Sequence, residues 1–213
     1  MDAGLDRATV PRRRRRHARP RELLEAALAL VVEKGYAGVR AEDIAARAGV
    51  SKGTLYLYFP SKDDLLKALI AEGLLSHVAI GAHEAPHDRP SVDLLREVLT
   101  AWQAALMRVD AGGIFKLVYA EARNFPALAE FWSTEVIEPA RRLVSEIVVR
   151  GIDRGEFRPV DPDVVVHALV LPIVFSCLHQ HAIGPRMPPD RSTRASDPFN
   201  RHFDLVIHGL IGK

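Results

Sequence analysis

Residues 40–64 read Arg-Ala-Glu-Asp-Ile-Ala-Ala-Arg-Ala-Gly-Val-Ser-Lys-Gly-Thr-Leu-Tyr-Leu-Tyr-Phe-Pro-Ser-Lys-Asp-Asp. Two short helices and a tight turn are written into this stretch. Ile44, Ala45 and Ala48 recur at helical spacing and form one apolar stripe. Glu42 and Asp43 fall in the first turn, where carboxylates suit the positive end of the helix dipole. Gly49 follows the last periodic residue, where a helix commonly ends in the left-handed region. Ser51 is placed to cap a second helix by accepting from the backbone N–H of Thr54. Leu55 and Phe59, four apart, give that helix its inward face, and Pro60 stops it. Ser61-Lys62-Asp63-Asp64 has the form of a capping box ahead of Leu65, Leu66 and Leu69. This is the pattern of a helix-turn-helix, whose second helix enters the major groove of DNA.

Residues 21–70 resemble the N-terminal domain of the TetR family of bacterial transcriptional regulators. The likeness rests on Ala45-Ala46-Arg47-Ala48-Gly49-Val50-Ser51-Lys52-Gly53-Thr54-Leu55-Tyr56 followed by Tyr58-Phe59-Pro60-Ser61-Lys62. Upstream, Ala26-Ala27 and Glu33-Lys34-Gly35-Tyr36 match as well. The resemblance implies an all-α protein: an N-terminal three-helix DNA-binding domain and a larger C-terminal helical domain that binds an effector and dimerises. Farther along, Tyr119-Ala120-Glu121-Ala122-Arg123-Asn124-Phe125-Pro126 and Val136-Ile137-Glu138-Pro139-Ala140-Arg141-Arg142 resemble some members. One departure stands out. Where the family usually has Ser or Thr before the first helix of the unit, this chain has Val39-Arg40. A guanidinium cannot accept the capping bond, but it can donate to a phosphate. Glu42 also stands where a basic residue is common.

Charge separates the chain into regions. The 213 residues carry a net +2. Residues 1–21 hold eight arginines against two aspartates, a balance of +6, which leaves −4 for the rest. Residues 22–66 hold five basic and seven acidic side chains, so the folded headpiece is not itself cationic. An Arg-rich arm over 1–18, disordered when free, is therefore expected to supply phosphate contacts through Arg12, Arg13, Arg14, Arg15 and Arg16. With residues 19–66 as the DNA-binding domain and 67–213 as the second domain, the predicted DNA contacts are Arg40, Ser51, Lys52, Gly53, Thr54, Tyr56, Tyr58 and Lys62.

Helix breaks organise the remainder. Pro20 suits the first turn of a helix ending at Gly35. A helix from Lys62 to about His83 leads out of the headpiece, and Pro86 and Pro90 break it. Ser91 and Asp110 are placed as caps, and Pro126 opens a long helix kinked near Pro139. Asp161-Pro162 starts another helix with Pro172 inside it, residues 184–198 read as a loop, and Pro198-Phe199 lead into the last helix. Val165, Ala168, Leu169, Ile173, Phe175 and Leu178 are too many for one buried stripe, so a dimer seam is expected on that helix and the last one.

An effector pocket is predicted around Trp102, Phe115, Tyr119, Phe131, Trp132, His167 and Phe175, which are mostly aromatic with a polar group among them. Cys177 and His181, four apart, share a helix face, but no third ligand is near in sequence, so packing or interface roles are favoured over a metal. No base with an orienting acid stands near Cys177, so catalysis is not expected, and no cofactor is implied. A lone cysteine gives no disulfide framework and fits a reducing cytoplasm. No apolar run reads as long enough to cross a membrane, and Glu22, Glu25, Glu33 and Lys34 rule out an uncharged signal-peptide core after the arginines. The reading is a homodimeric repressor released from a palindromic double-stranded operator by a small, largely apolar effector. The alternative is a DNA-binding regulator governed by expression or a protein partner.

Overall fold

The computed structural model describes residues 12–75, 88–184 and 198–211, with residues 12–18 and 74–75 described as backbone alone. Regular structure among these is entirely helical. The chain divides into two compact units, 1–68 and 69–213.

In the first unit, α1 spans Arg12–Lys34, α2 Ala41–Arg47, α3 Lys52–Tyr58 and α4 Lys62–Ile70. The expected unstructured arm is corrected here. Residues 12–18 are helical, and Pro20 lies inside α1 rather than in its first turn. Arginine is a good helix former, and Pro20 forfeits only one hydrogen bond, so the helix extends upstream of it. Residues 1–11 lie outside the described residues. Leu23, Ala27 and Leu30 of α1 are buried, as are Tyr36, Ile44, Leu55, Leu65 and Leu66. Gly49 has φ +66°, the left-handed turn that a side chain would strain, and the N–H of Val50 donates to the Ala45 carbonyl across it.

The second unit begins with the end of α4, which passes into a π-helical turn at Ala71–Leu75; the expected extension to His83 falls outside the described residues. It continues with α5 (Ser91–Met107), α6 (Val109–Glu121), α7 (Pro126–Trp132), α8 (Glu138–Asp153), α9 (Pro162–Ala182) and α10 (Pro198–Leu210). The expected kink near Pro139 takes the form of a π-helical turn, Ser133–Ile137, between α7 and α8. Pro139 has no N–H and its ring crowds the carbonyl four residues back, so the turn before it widens. The loop expected over 184–198 lies almost wholly outside the described residues.

The core of this unit joins α5, α8, α9 and α10 through Leu95, Leu99, Val144, Val148, Leu169 and Phe203. Its helices draw on both distant and local partners. Ser91 is the first residue of α5 rather than its cap, and its N–H donates to the Glu156 carboxylate at 2.6 Å. Asp161 caps α9 as expected, accepting from Asp163 N–H at 2.9 Å. Pro172 cannot donate to the Ala168 carbonyl, and His202 of α10 does so instead through Nε2 at 2.8 Å.

By length and composition α9 is apolar enough to cross a bilayer, a test that the core helices of other folds also pass, so it is no evidence of a membrane span. Val165, Leu169, Ile173 and Cys177 face the core, while Val164, Leu171 and Phe175 are 55–70% exposed.

Candidate nucleic-acid interface and cavity

The headpiece builds its outer surface from short-range capping. Ser51 Oγ accepts from Thr54 N–H at 3.2 Å, and the two hydroxyls lie 2.9 Å apart. Ser61 Oγ accepts from Asp64 N–H at 3.0 Å and donates to its carboxylate at 2.7 Å. At Arg40 only the return half of a box is present: its backbone N–H donates to the Asp43 carboxylate at 3.4 Å, and no side chain caps α2. The missing acceptor forgoes about 0.5–2 kcal/mol of helix stability. The Arg40 side chain is exposed.

With Leu55 and Phe59 buried, α3 leaves Lys52, Gly53, Tyr56 and Leu57 exposed and Thr54 and Tyr58 half-buried. Gly53 is not demanded by the fold, because a Cβ there would meet only Ser51 Oγ, at 3.8 Å. Lys52 Nζ lies 2.5 Å from Glu42 Oε1 and 5.7 Å from the centre of the Tyr56 ring. The hydrogen bond from Lys52 holds the Glu42 carboxyl below its ordinary range, and the same bond raises the ammonium. The pair therefore persists at neutral pH and is lost as pH falls through the lowered Glu42 pKa. Both partners are half-exposed, so it contributes little to stability.

Other headpiece cations are engaged as well. Arg47 pairs with Glu33 at 2.9 Å and Lys34 with Asp43 at 3.8 Å. Lys62 Nζ donates to the Tyr36 carbonyl at 2.5 Å and sits 4.0 Å from the centre of its ring. Two features escape a reading of the sequence. The Glu42–Lys52 pair joins residues ten apart on different helices. Leu57, 79% exposed, does leave a signal, its position out of phase with Leu55 and Phe59.

The second unit holds a small cavity of about 70 Å³, partly open to solvent, between α5, α6, α8, α9 and the π-helical turn at Ser133–Ile137. Trp102, Leu106, Phe115, Val136, Val170 and Ile173 form much of its apolar wall. Of the residues predicted for a pocket, Trp102 and Phe115 meet here. Tyr119 and Trp132 are not in the wall but pack behind Phe115, at ring distances of 4.9 and 5.1 Å. Phe131 is not part of the wall either. His167 is exposed and its Nδ1 lies 2.6 Å from the Asp163 carbonyl of its own helix. Phe175, 70% exposed, stands beside His179.

Trp102 itself is buried, and its Nε1–H meets no acceptor among the described residues. Cys177 and His181 act together on one carbonyl. His181 Nε2 donates to Leu106 O at 2.8 Å and Cys177 Sγ to the same atom at 3.5 Å, satisfying the end of α5. Burial pushes the Cys177 thiol up to about 11, which leaves it protonated and a poor nucleophile at neutral pH.

Comparison with known proteins agrees with this architecture. Residues 23–69 match the family model described as bacterial regulatory proteins, tetR family, and residues 92–195 match that of the tetracyclin repressor-like C-terminal domain. The HTH-type transcriptional regulator RutR of Escherichia coli is 26% identical, with 99% of each chain covered. YdeS of Bacillus subtilis, an HTH-type regulator, is 29% identical over 76% of this chain and 83% of its own. For the HTH-type regulator Rv1556 of Mycobacterium tuberculosis, also 29% identical, the match spans 65% of either chain. Among solved structures, the fatty acid degradation regulator FadR of Bacillus halodurans has a TM-score of 0.72 at 21% identity, covering 90% of this chain and 95% of its own. FadR of Bacillus subtilis in complex with stearoyl-CoA has a TM-score of 0.71 at 20% identity, covering 89% and 98%. At these identities the structures share the fold.

Proposed function

The chain belongs to the TetR family of bacterial transcriptional regulators, and from that membership we propose that it is a cytoplasmic homodimeric repressor released from a near-palindromic operator by a small apolar effector. The observation that carries the DNA half is the division of α3. Its inward face is closed by Leu55 and Phe59, while Lys52, Gly53, Tyr56 and Leu57 are left exposed on a capped helix. In this reading Lys52, Thr54, Tyr56 and Tyr58 meet bases and phosphates, with Ser51 at the helix start. Arg40 and the arginines of the arm meet phosphate. Lys62 can meet phosphate while it holds the Tyr36 carbonyl, because an ammonium has three donors.

The dimer half rests on Val164, Leu171 and Phe175, which recur at seven and four residues along α9, and on Leu205 of α10, 73% exposed. A second copy covering this stripe would make an isologous seam and match a two-fold operator. The effector half rests on the cavity. Among the described residues its wall carries no charged side chain, so the part of a ligand it encloses is uncharged. The stearoyl chain of the ligand in complex with Bacillus subtilis FadR has the apolar chemistry that such a wall accepts.

The test is selection of binding sites from random DNA, followed by anisotropy titration with and without a screen of apolar ligands found by thermal shift. The expected result is an inverted repeat, bound by a dimer and released by at least one stabilising ligand. Monomers at micromolar concentration would overturn the dimer. Ligands that stabilise the protein without weakening DNA binding would overturn effector control.

A further inference from the structure

Leu57 has the greatest exposure of any large apolar side chain among the described residues, 79%, and it lies on the helix assigned to DNA. Its direction follows from helix geometry at 100° per residue. The buried face of α3 is centred between Leu55 and Phe59. Leu57 stands about 180° from that centre, with Tyr56 and Tyr58 about 80° to either side. Gly53, one turn earlier and about 140° from the centre, removes a side chain from the same outward surface. Nothing in the protein requires a glycine there, since an added Cβ would have open space beyond Ser51 Oγ at 3.8 Å. The outermost line of α3 is thus a glycine and a leucine, with tyrosines at the flanks.

On a helix lying in the major groove, the outermost line is the part nearest the groove floor. The floor presents hydrogen-bond donors and acceptors, with a single apolar group among them, the 5-methyl of thymine. A leucine gains by packing on that methyl. Against any other base edge it strips water from polar atoms and returns no hydrogen bond.

We propose that Leu57 is a specificity-determining residue that reads one thymine methyl in each operator half-site. This rests on the reading of α3 as the DNA-reading helix, so the experiment separates the two. An operator selected by the wild-type protein is resynthesised with deoxyuridine replacing each thymine in turn, which deletes only the methyl. Affinities for wild-type, Leu57→Ala and Lys52→Ala proteins are then measured by anisotropy. Because Leu57 is exposed, Leu57→Ala leaves the melting temperature unchanged.

The expected result is one thymine per half-site whose replacement weakens wild-type binding by about fourfold, and by about 15-fold when both half-sites are changed, the loss of one buried methyl each. Leu57→Ala binds the thymine operator more weakly and is indifferent to the same replacement. If Lys52→Ala weakens binding but no deoxyuridine position does, or if the replacement costs Leu57→Ala as much as wild type, the assignment of Leu57 is overturned and α3 remains the reading helix. If neither Lys52→Ala nor Leu57→Ala changes affinity, the reading of α3 falls and the inference falls with it.

Discussion

The two units differ in how far along the chain the backbone groups of their helices find partners. In the headpiece the hydrogen bonds at the starts of α2, α3 and α4 link Arg40 to Asp43, Ser51 to Thr54 and Ser61 to Asp64, each three residues apart. In the second unit Asp161 caps α9 just as locally, but several other polar groups of the helices are met from far away. Glu156 serves Ser91 across 65 residues, His202 serves Ala168 across 34, and His181 serves Leu106 across 75. A unit held locally presents its surface in a pattern that a short stretch of sequence can specify. A unit held at long range has a surface and cavity that depend on how helices from distant parts of the chain meet.

The largest test of that contrast lies in the long-range unit. Replacing Leu171 and Phe175 with glutamate should yield monomers by analytical ultracentrifugation. Operator affinity should fall by at least about a hundredfold, because the two headpieces lose their tether and its effective concentration. Circular dichroism should show the helices intact, since both side chains are exposed. Persistence of the dimer would show that the stripe is not the seam.

A smaller effect is expected from the arm. Removing residues 1–18 should flatten the slope of log K against log salt by about 3–4 units per subunit if four arginines engage phosphate. Selected sequence preference should stay the same. Because the first buried residues among those described in α1 are Leu23 and Leu24, the truncated chain should remain folded. An unchanged slope would make the arm a bystander.

Smaller again, and opposite in sign to each other, are two changes on the α2–α3 face. Lys52→Ala should weaken operator binding about tenfold and lower the salt slope by about one unit per subunit. Glu42→Gln should strengthen binding several-fold, because it frees the Lys52 ammonium and removes the negative charge beside it. Weaker binding by Glu42→Gln would mean that the pair positions Lys52 rather than competing for it.

Legibility in the sequence tracks this contrast. Gly49, Ser51 and Ser61 each fix geometry through neighbours within five residues, so the turn and its caps follow from the local sequence. Ser91 shows the limit. It looks like a cap by the same local rule, but tertiary packing supplies Glu156 and places Ser91 inside the helix. The aromatic residues of the middle helices are legible as a cluster, yet only Trp102 and Phe115 reach the cavity. Phe175 points out of α9 because its phase follows Val164 and Leu171 rather than Leu169 and Ile173. The arm fails differently: Pro20 reads as a helix start, although one lost hydrogen bond is tolerated inside a long helix.

The smallest effect tests the long-range hydrogen bonds one at a time. Pro172 deprives the Ala168 carbonyl of its helical donor, and His202 replaces it from α10. His202→Ala should leave that carbonyl short of a partner and cost about 1–2 kcal/mol in urea unfolding at fixed protein concentration. Ser51→Ala in the headpiece should cost a similar amount, about 1 kcal/mol, for loss of its cap. Energy alone therefore does not distinguish the two kinds of bond, but a double-mutant cycle does. Pro172→Ala restores an N–H four residues from Ala168, so in that background the carbonyl has a donor within its own helix. If His202 acts as the substitute for the missing N–H, His202→Ala should become nearly neutral once Pro172 is alanine. An undiminished cost in the Pro172→Ala background would show that His202 stabilises by packing, and that the proline and the histidine are independent.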